Sequence, residues 1–171
     1  MSEKPTELRE FAERILETPE FAGKLAPPEG PFVDENPGAP ARVDIPSRTA
    51  DLRFQHGKRG AKMPSDESLG DERCRGAAHH IMANHELQAL EAMAWTLLAF
   101  PEAPKAFRRG LAQILQEEQE HARWHAERAA ELGVPFGSRR VAGYVWRRTT
   151  TATTPLEYLA CLPLTFEQSN L

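Results

Sequence analysis

Four side chains in this sequence have the chemistry of metal ligands: Glu86, Glu118, His121 and Glu167. Glu118 and His121 are three residues apart, so on an α-helix they lie one turn apart on the same side. Glu86 and Glu167 each interrupt an apolar repeat in another segment. Imidazole nitrogens bind iron and zinc, and carboxylates bind manganese and other hard cations. We therefore predict these four residues as metal ligands.

The free energy of burying acids points to the same chemistry. A buried carboxylate without a partner costs several kcal/mol, so acids on the inner faces of helices need cations, protonation or hydrogen bonds. In some helix bundles two divalent cations are held by single Glu residues of two helices and by Glu-x-x-His pairs of the other two. Glu86 and Glu167 match the single acids, and Glu118 with His121 matches one pair. A second such pair does not occur in the sequence.

Two long helices are predicted to position three of these residues. From Asp71 to Phe100 the sequence has no proline and is rich in helix-forming residues. Pro104 suits the first turn of a second helix that runs to Leu132, and Gly133 suits the position just after its end. The two helices are predicted to form a hairpin. Their predicted inner faces are Met82, Glu86, Leu90, Met93 and Leu97 in the first, and Phe107, Leu111, Ile114, Glu118, His121, His125 and Leu132 in the second.

The N-terminal part, residues 1–64, is predicted to be a short helix followed by a wrapping arm. Thr6 is a candidate N-cap, and the helix is predicted to end near Pro19. Its apolar residues recur at helical spacing: Leu8, Phe11, Ala12, Ile15 and Leu16. Eight of the fourteen prolines lie between Pro19 and Pro64, so little regular structure is expected there. A plain linker is the alternative.

The C-terminal part, residues 65–171, is predicted to be the helical domain. After an irregular connection from Gly137 to Thr153, the run Thr154-Pro155-Leu156-Glu157 has the pattern of a capping box with proline at the first helical position. A third long helix is predicted from there to the last residue. Its inner face would consist of Leu156, Ala160, Leu164, Glu167 and Leu171.

Composition narrows the class of protein. The 171 residues are 40% hydrophobic and 27% charged, with a formal net charge of −4, so the chain has neither the composition of a disordered protein nor a large basic surface for nucleic acid. Cys74 and Cys161 lie far apart without a metal-binding spacing, as expected of free thiols in a reducing compartment. No stretch of the sequence approaches the eighteen consecutive apolar residues that a membrane-spanning helix needs. We expect a cytoplasmic protein without a membrane or nucleic-acid partner.

Three sequence blocks and a turn resemble one family. The blocks are His85-Glu86-Leu87-Gln88-Ala89-Leu90-Glu91, Glu117-Glu118-Gln119-Glu120-His121 and Leu164-Thr165-Phe166-Glu167-Gln168-Ser169-Asn170-Leu171, and the turn holds Phe100-Pro101. They resemble the uncharacterised ferritin-like family called domain-of-unknown-function family 455, over roughly Pro37 to Leu171. The resemblance implies an all-α, ferritin-like four-helix bundle with a di-iron carboxylate centre. It also implies ligand roles for Glu86, Glu118, His121 and Glu167.

Members of that family continue into a fourth core helix with an Asp-Glu-x-x-His type motif. In this sequence we expect the hairpin and the third helix without the fourth, so the sequence is a truncated form or two copies share one centre as a dimer. The remaining histidines of the hairpin, His79, His80, His85 and His125, are expected around the metal or at the surface.

The function expected from these features is that of a di-iron, or iron–manganese, oxidoreductase that activates oxygen or peroxide and acts on an unidentified small molecule. Two alternatives remain open. One is iron binding or storage without an organic substrate. The other is a metal-free helical interaction module in which Glu118 and His121 make internal hydrogen bonds.

Overall fold

The computed structural model describes residues 4–55 and 60–161. This part of the chain is mostly helical, which confirms the predicted all-α class at that level. Its α-helices are α1 (Leu8–Glu17), α2 (Phe21–Lys24), α3 (Glu72–Ala99), α4 (Lys105–Glu131), α5 (Tyr144–Thr149) and α6 (Pro155–Cys161). Two strands of two residues each, β1 (Thr6–Glu7) and β2 (Phe32–Val33), pair in parallel. Short 3-10 helices span Ala50–Leu52 and Asp66–Gly70.

Helices α3 and α4 form the predicted hairpin. Asp71 caps α3, because its carboxylate accepts a hydrogen bond of 3.0 Å from the backbone N–H of Cys74. The chain turns at Phe100 and Pro101, and Pro104 is the N-cap of α4, directly before the first turn in which it was predicted. Gly133 follows the end of α4 with a φ of 74°, the left-handed conformation that glycine adopts most easily.

The buried face of α4 differs from the predicted one. The buried residues are Arg108, Leu111, Ala112, Leu115, Gln119, Ala122, Ala126 and Ala129. Ile114 is 46% exposed, so its predicted place in the core is wrong. Because small alanine side chains let α3 approach closely, the alanine-rich face packs inward, and the stripe with Ile114, Glu118 and His121 lies to its side.

Helix α1 packs on α3 through the predicted apolar face. Leu8, Phe11, Ala12, Ile15 and Leu16 are all buried there. The N-cap is Glu7 rather than the predicted Thr6. Thr6 pairs with Phe32 in the small sheet, and its hydroxyl accepts hydrogen bonds from the backbone of residues 29 and 30.

The proline-rich segment packs against the helices and is held there by hydrogen bonds. The backbone N–H of Ala41 donates to Leu98 at 2.9 Å, and the indole of Trp95 donates to the carbonyl of Val43 at 3.2 Å. Leu25 and Leu52 are buried in one core with α1, α3 and α4, and Phe32, Ala41 and Val43 pack against that core. The segment therefore contributes to the packing of the hairpin.

The predicted irregular connection contains a helix. In α5 the side chains of Val145, Trp146 and Thr149 are buried against α3, and the Trp146 indole donates to the carbonyl of Asp44 at 2.8 Å. Six residues are too few for an apolar period to stand out among neighbouring arginines and threonines, which is why the sequence did not indicate this helix.

Helix α6 begins at Pro155, as predicted. The Thr154 hydroxyl accepts from the backbone of Glu157, which is half of a capping box, but the Glu157 carboxylate accepts from Thr153 instead of Thr154. The rest of the predicted third helix, with Glu167, lies outside the described residues. Within residues 4–55 and 60–161, no helix has the length and apolarity needed to cross a membrane.

Candidate metal centre

The structure brings together two of the predicted ligands. Nδ1 of His121 lies 3.0 Å from Oε2 of Glu118, one helical turn earlier on α4. The side chain of Glu118 is 16% exposed and that of His121 is 45% exposed. The pair thus lies at the edge of the core, where a cation and solvent can both reach it.

Glu86 lies opposite Glu118 in the antiparallel hairpin. Nδ1 of His79 on α3 is 2.8 Å from Nδ1 of His125 on α4, which fixes the register of the two helices at this edge. Glu86 follows His79 by seven residues and Glu118 precedes His125 by seven, two helical turns in each case. Because the helices run in opposite directions, both steps lead to the same level. Glu86 itself is half-buried.

The term candidate centre is used below for the four predicted ligands Glu86, Glu118, His121 and Glu167. Among the described residues, which exclude Glu167, no three histidine, cysteine or acidic side chains stand close enough to hold one ion. The structure therefore shows two features of the candidate centre. Glu118 contacts His121, and Glu86 lies at the same level of the hairpin as Glu118.

The fully buried acids are different residues, and protein cations neutralise them. Glu91 on α3 lies 2.6 Å from Nη2 of Arg48 and 3.1 Å from Nζ of Lys24. Asp34 lies 2.9 Å from Nε of Arg108. The expectation that buried acids need cations is met here by side chains of the arm and of α4. Sequence reasoning missed these pairs because the partners are distant along the chain and no local pattern marks them.

Tyr158 of α6 is a further residue near the candidate centre. Burial raises the pKa of its phenol; a hydrogen bond with the Thr96 side chain acts against this, and the nearby Glu118 carboxylate adds to it. The phenol is therefore neutral at ordinary pH. The only sequence signal for it is an aromatic residue one turn into the predicted third helix.

His80 is a structural histidine. Its Nε2 accepts hydrogen bonds from the backbone N–H groups of Gly137 at 3.1 Å and Arg139 at 3.3 Å. Burial lowers its pKa, and the charge of Arg139 lowers it further. This neutral ring holds the connection that follows α4 in place. Because its Nε2 already accepts these two hydrogen bonds, we do not count His80 as a ligand of the candidate centre.

Comparison with known protein families assigns the chain to one family. Residues 2–171 match the family described as a protein of unknown function, DUF455. The chain belongs to this family. The matched range of this DUF455 chain includes Glu86, Glu118, His121 and Glu167. Neither the curated proteins nor the solved structures contain a match to it.

Proposed function

We propose that this DUF455 chain is a ferritin-like metal-binding protein that supplies Glu86, Glu118, His121 and Glu167 to a di-iron, or iron–manganese, carboxylate centre of an oxidoreductase. The bound ions would supply the redox chemistry that activates oxygen or peroxide toward a small-molecule substrate. The observation that carries the proposal is the 3.0 Å contact between Nδ1 of His121 and Oε2 of Glu118 at the edge of the core.

The spacing of these two atoms suits a shared ion. Neighbouring ligands around an octahedral ion with bonds of about 2.1 Å lie about 3.0 Å apart. One cation can therefore receive both atoms with little movement of either side chain. For this, Nδ1 of His121 must give up its hydrogen, and Nε2 then carries the remaining one.

The level of Glu86 supports a second carboxylate beside the first. Glu86 and Glu118 occupy the same level of the antiparallel pair, so an ion held by Glu118 at the edge of the hairpin would be level with Glu86. In this proposal Glu167 supplies the third carboxylate, and a second copy of the chain in a homodimer supplies further ligands. The buried, neutral phenol of Tyr158 would shield Glu118 from water on the α6 side of the centre and would keep a proton near that carboxylate.

A second candidate function, a metal-free interaction module, is supported by apolar exposure on α4. Ile114 is 46% exposed and Trp124 is 60% exposed, and the Trp124 ring contacts His121 with centroids 5.6 Å apart. Exposed large apolar side chains of this kind are typical of surfaces that bind another protein. Metal content separates the two candidates.

The test is anaerobic loading of chelator-treated protein with Fe²⁺, followed by gel filtration and elemental analysis. We compare the full chain with Glu118→Gln and with Glu117→Gln, whose side chain is exposed on the neighbouring position of α4. We expect bound iron in the wild type and in Glu117→Gln, and loss of at least half of it in Glu118→Gln. Equal iron in all three, or none in the wild type, would contradict the proposal.

Oxygen uptake then separates an oxidoreductase from iron storage. The loaded protein is supplied with oxygen and an external reductant, and oxygen consumption is followed per bound iron. Consumption that continues beyond a single oxidation of the iron supports the enzyme. Consumption that stops after that single oxidation supports iron binding or storage instead.

A further inference from the structure

Two histidines outside the candidate centre, His79 of α3 and His125 of α4, face each other across the hairpin. They are called the histidine pair below. Their Nδ1 atoms are 2.8 Å apart, and their ring planes are tilted by 40°. Both side chains are only partly buried. Within residues 4–55 and 60–161, neither ring forms a hydrogen bond with a carboxylate.

Both members of the histidine pair are disposed to be neutral. Burial lowers the pKa of His79, and the charge of Arg128 lowers it further. Burial also lowers the pKa of His125, and the neighbouring rings of His79 and His121 act in the same direction. A neutral imidazole has one nitrogen lone pair. The two facing Nδ1 atoms can therefore share one hydrogen, or both can direct lone pairs at a cation.

We propose that the histidine pair is a binding site for a divalent transition-metal ion of the Cu²⁺, Ni²⁺ or Zn²⁺ class, bridging α3 and α4. Imidazole is a ligand that these ions favour. With bonds of about 2.0–2.1 Å, two neighbouring ligands of one such ion lie about 2.9 Å apart or more, close to the observed separation. Because both rings are partly exposed, they can turn their lone pairs toward the ion, and water can occupy its remaining positions.

This site uses ligands other than those of the candidate centre. It lies two helical turns, about 10 Å, from Glu86 along α3 and from Glu118 along α4, and one turn from His121, whose ring also acts on His125. Its ligands are nitrogens only, whereas the candidate centre is rich in carboxylate, so the two prefer different ions. The inference therefore does not rest on the proposed function. A metal bound here ties the N-terminal half of α3 to the C-terminal half of α4 and stabilises the folded chain.

The test adds one equivalent of Cu²⁺ to the chelator-treated full chain and records its electron paramagnetic resonance spectrum, which reports nitrogen ligands directly. The variants are His79→Gln and His125→Gln, because glutamine retains a hydrogen-bonding side chain of similar reach. The matched control is Glu118→Gln, which alters the candidate centre and leaves the histidine pair intact. Circular dichroism establishes that each variant is folded, and Zn²⁺ is added separately to measure its effect on Tm.

The expected result is coupling to two nitrogen ligands in the wild type and in Glu118→Gln. Each histidine variant is expected to lose this signal and to bind Cu²⁺ at least about tenfold more weakly, since even loss of an outer-shell partner costs that much affinity. Zn²⁺ is expected to raise Tm in the wild type and in Glu118→Gln, and in neither histidine variant. Unchanged copper coordination in both histidine variants, or a signal lost only in Glu118→Gln, would overturn the proposal.

Discussion

The guanidinium of Arg48 lies against both carboxylate oxygens of Glu91, with Nε 3.1 Å from Oε1 and Nη2 2.6 Å from Oε2. Nζ of Lys24 approaches the same carboxylate and also donates to the carbonyl of Ile15 at 2.6 Å. The remaining donor of Arg48, Nη1, binds the Leu52 carbonyl. The arm is thus attached to α3 by charges that are satisfied inside the core.

Removing Arg48 from this cluster is expected to destabilise the fold strongly. Arg48→Ala leaves Glu91 buried with one cation fewer, and breaking a buried ion pair from one side costs about 3–5 kcal/mol. The free energy of unfolding in urea measures the effect. Glu131→Gln is the control, because Glu131 pairs with Arg128 in the solvent and such pairs contribute at most about 1 kcal/mol. A loss in Arg48→Ala as small as the control's would show that the cluster does not stabilise the fold.

The ion pair of Asp34 with Arg108 is expected to hold the proline-rich arm against α4. Asp34→Asn removes the charge that compensates Arg108, whose guanidinium also donates to the carbonyl of Leu97 at 2.6 Å. Trypsin is therefore expected to cleave after Arg42 and Arg48 sooner in Asp34→Asn than in the wild type. Asp44→Asn, at an exposed position of the arm, is the control. Equal cleavage rates in both variants would show that the pair is not needed to hold the arm.

The phase of α4 can be tested by two neighbouring substitutions. Leu115 is fully buried and Ile114 is half exposed. We expect Leu115→Ala to cost about 2–5 kcal/mol of unfolding free energy through the cavity it leaves. Ile114→Ala should change that free energy by about 0.5 kcal/mol or less. The reverse order in chemical denaturation would show that the predicted stripe, and not the alanine-rich face, packs in the core.

Acid is expected to destabilise the chain through His80. Its pKa is lowered in the folded state by burial and by Arg139. The unfolded chain therefore binds the proton more readily, so the stabilising contribution is complete above the ordinary histidine pKa of about 6.5 and is lost as the pH falls through the folded pKa. The histidine pair, whose pKa values are also lowered, contributes with the same sign.

His80→Gln isolates the contribution of His80. The amide oxygen of glutamine can accept the hydrogen bonds from Gly137 and Arg139 but does not titrate in this range. We expect the unfolding free energy of the variant to fall less steeply than that of the wild type between pH 7.5 and pH 5. Parallel curves for the two proteins would exclude His80 as the source of the acid sensitivity.

The hairpin was predictable from the sequence because its signals are local. A proline-free run indicates α3, Pro104 and Gly133 mark the start and the end of α4, and the apolar spacing of α1 predicts its buried face directly. The inner face of α4 was not predictable in the same way. Its core positions hold Arg108, Gln119 and four alanines, so an apolar stripe drawn through Ile114 selects the wrong side.

The candidate site was predictable only in part for a similar reason. The contact of Glu118 with His121 follows from their spacing on one helix. The neutralisation of Glu91 does not, since its cations come from positions 24 and 48 and meet it only through the folding of the arm. Glu91, the most deeply buried acid among the described residues, is therefore not found by looking for metal ligands at helical spacing.

X-ray absorption of the iron-loaded protein tests the central claim most directly. If Glu86, Glu118, His121 and Glu167 contribute to a two-metal carboxylate centre, the spectrum will show nitrogen and oxygen ligands together with a second iron at about 3.5–4 Å, as in other two-metal sites. The iron neighbour should disappear in Glu118→Gln and persist in Glu117→Gln. Iron surrounded by oxygen alone with no metal neighbour in the wild type would contradict the account.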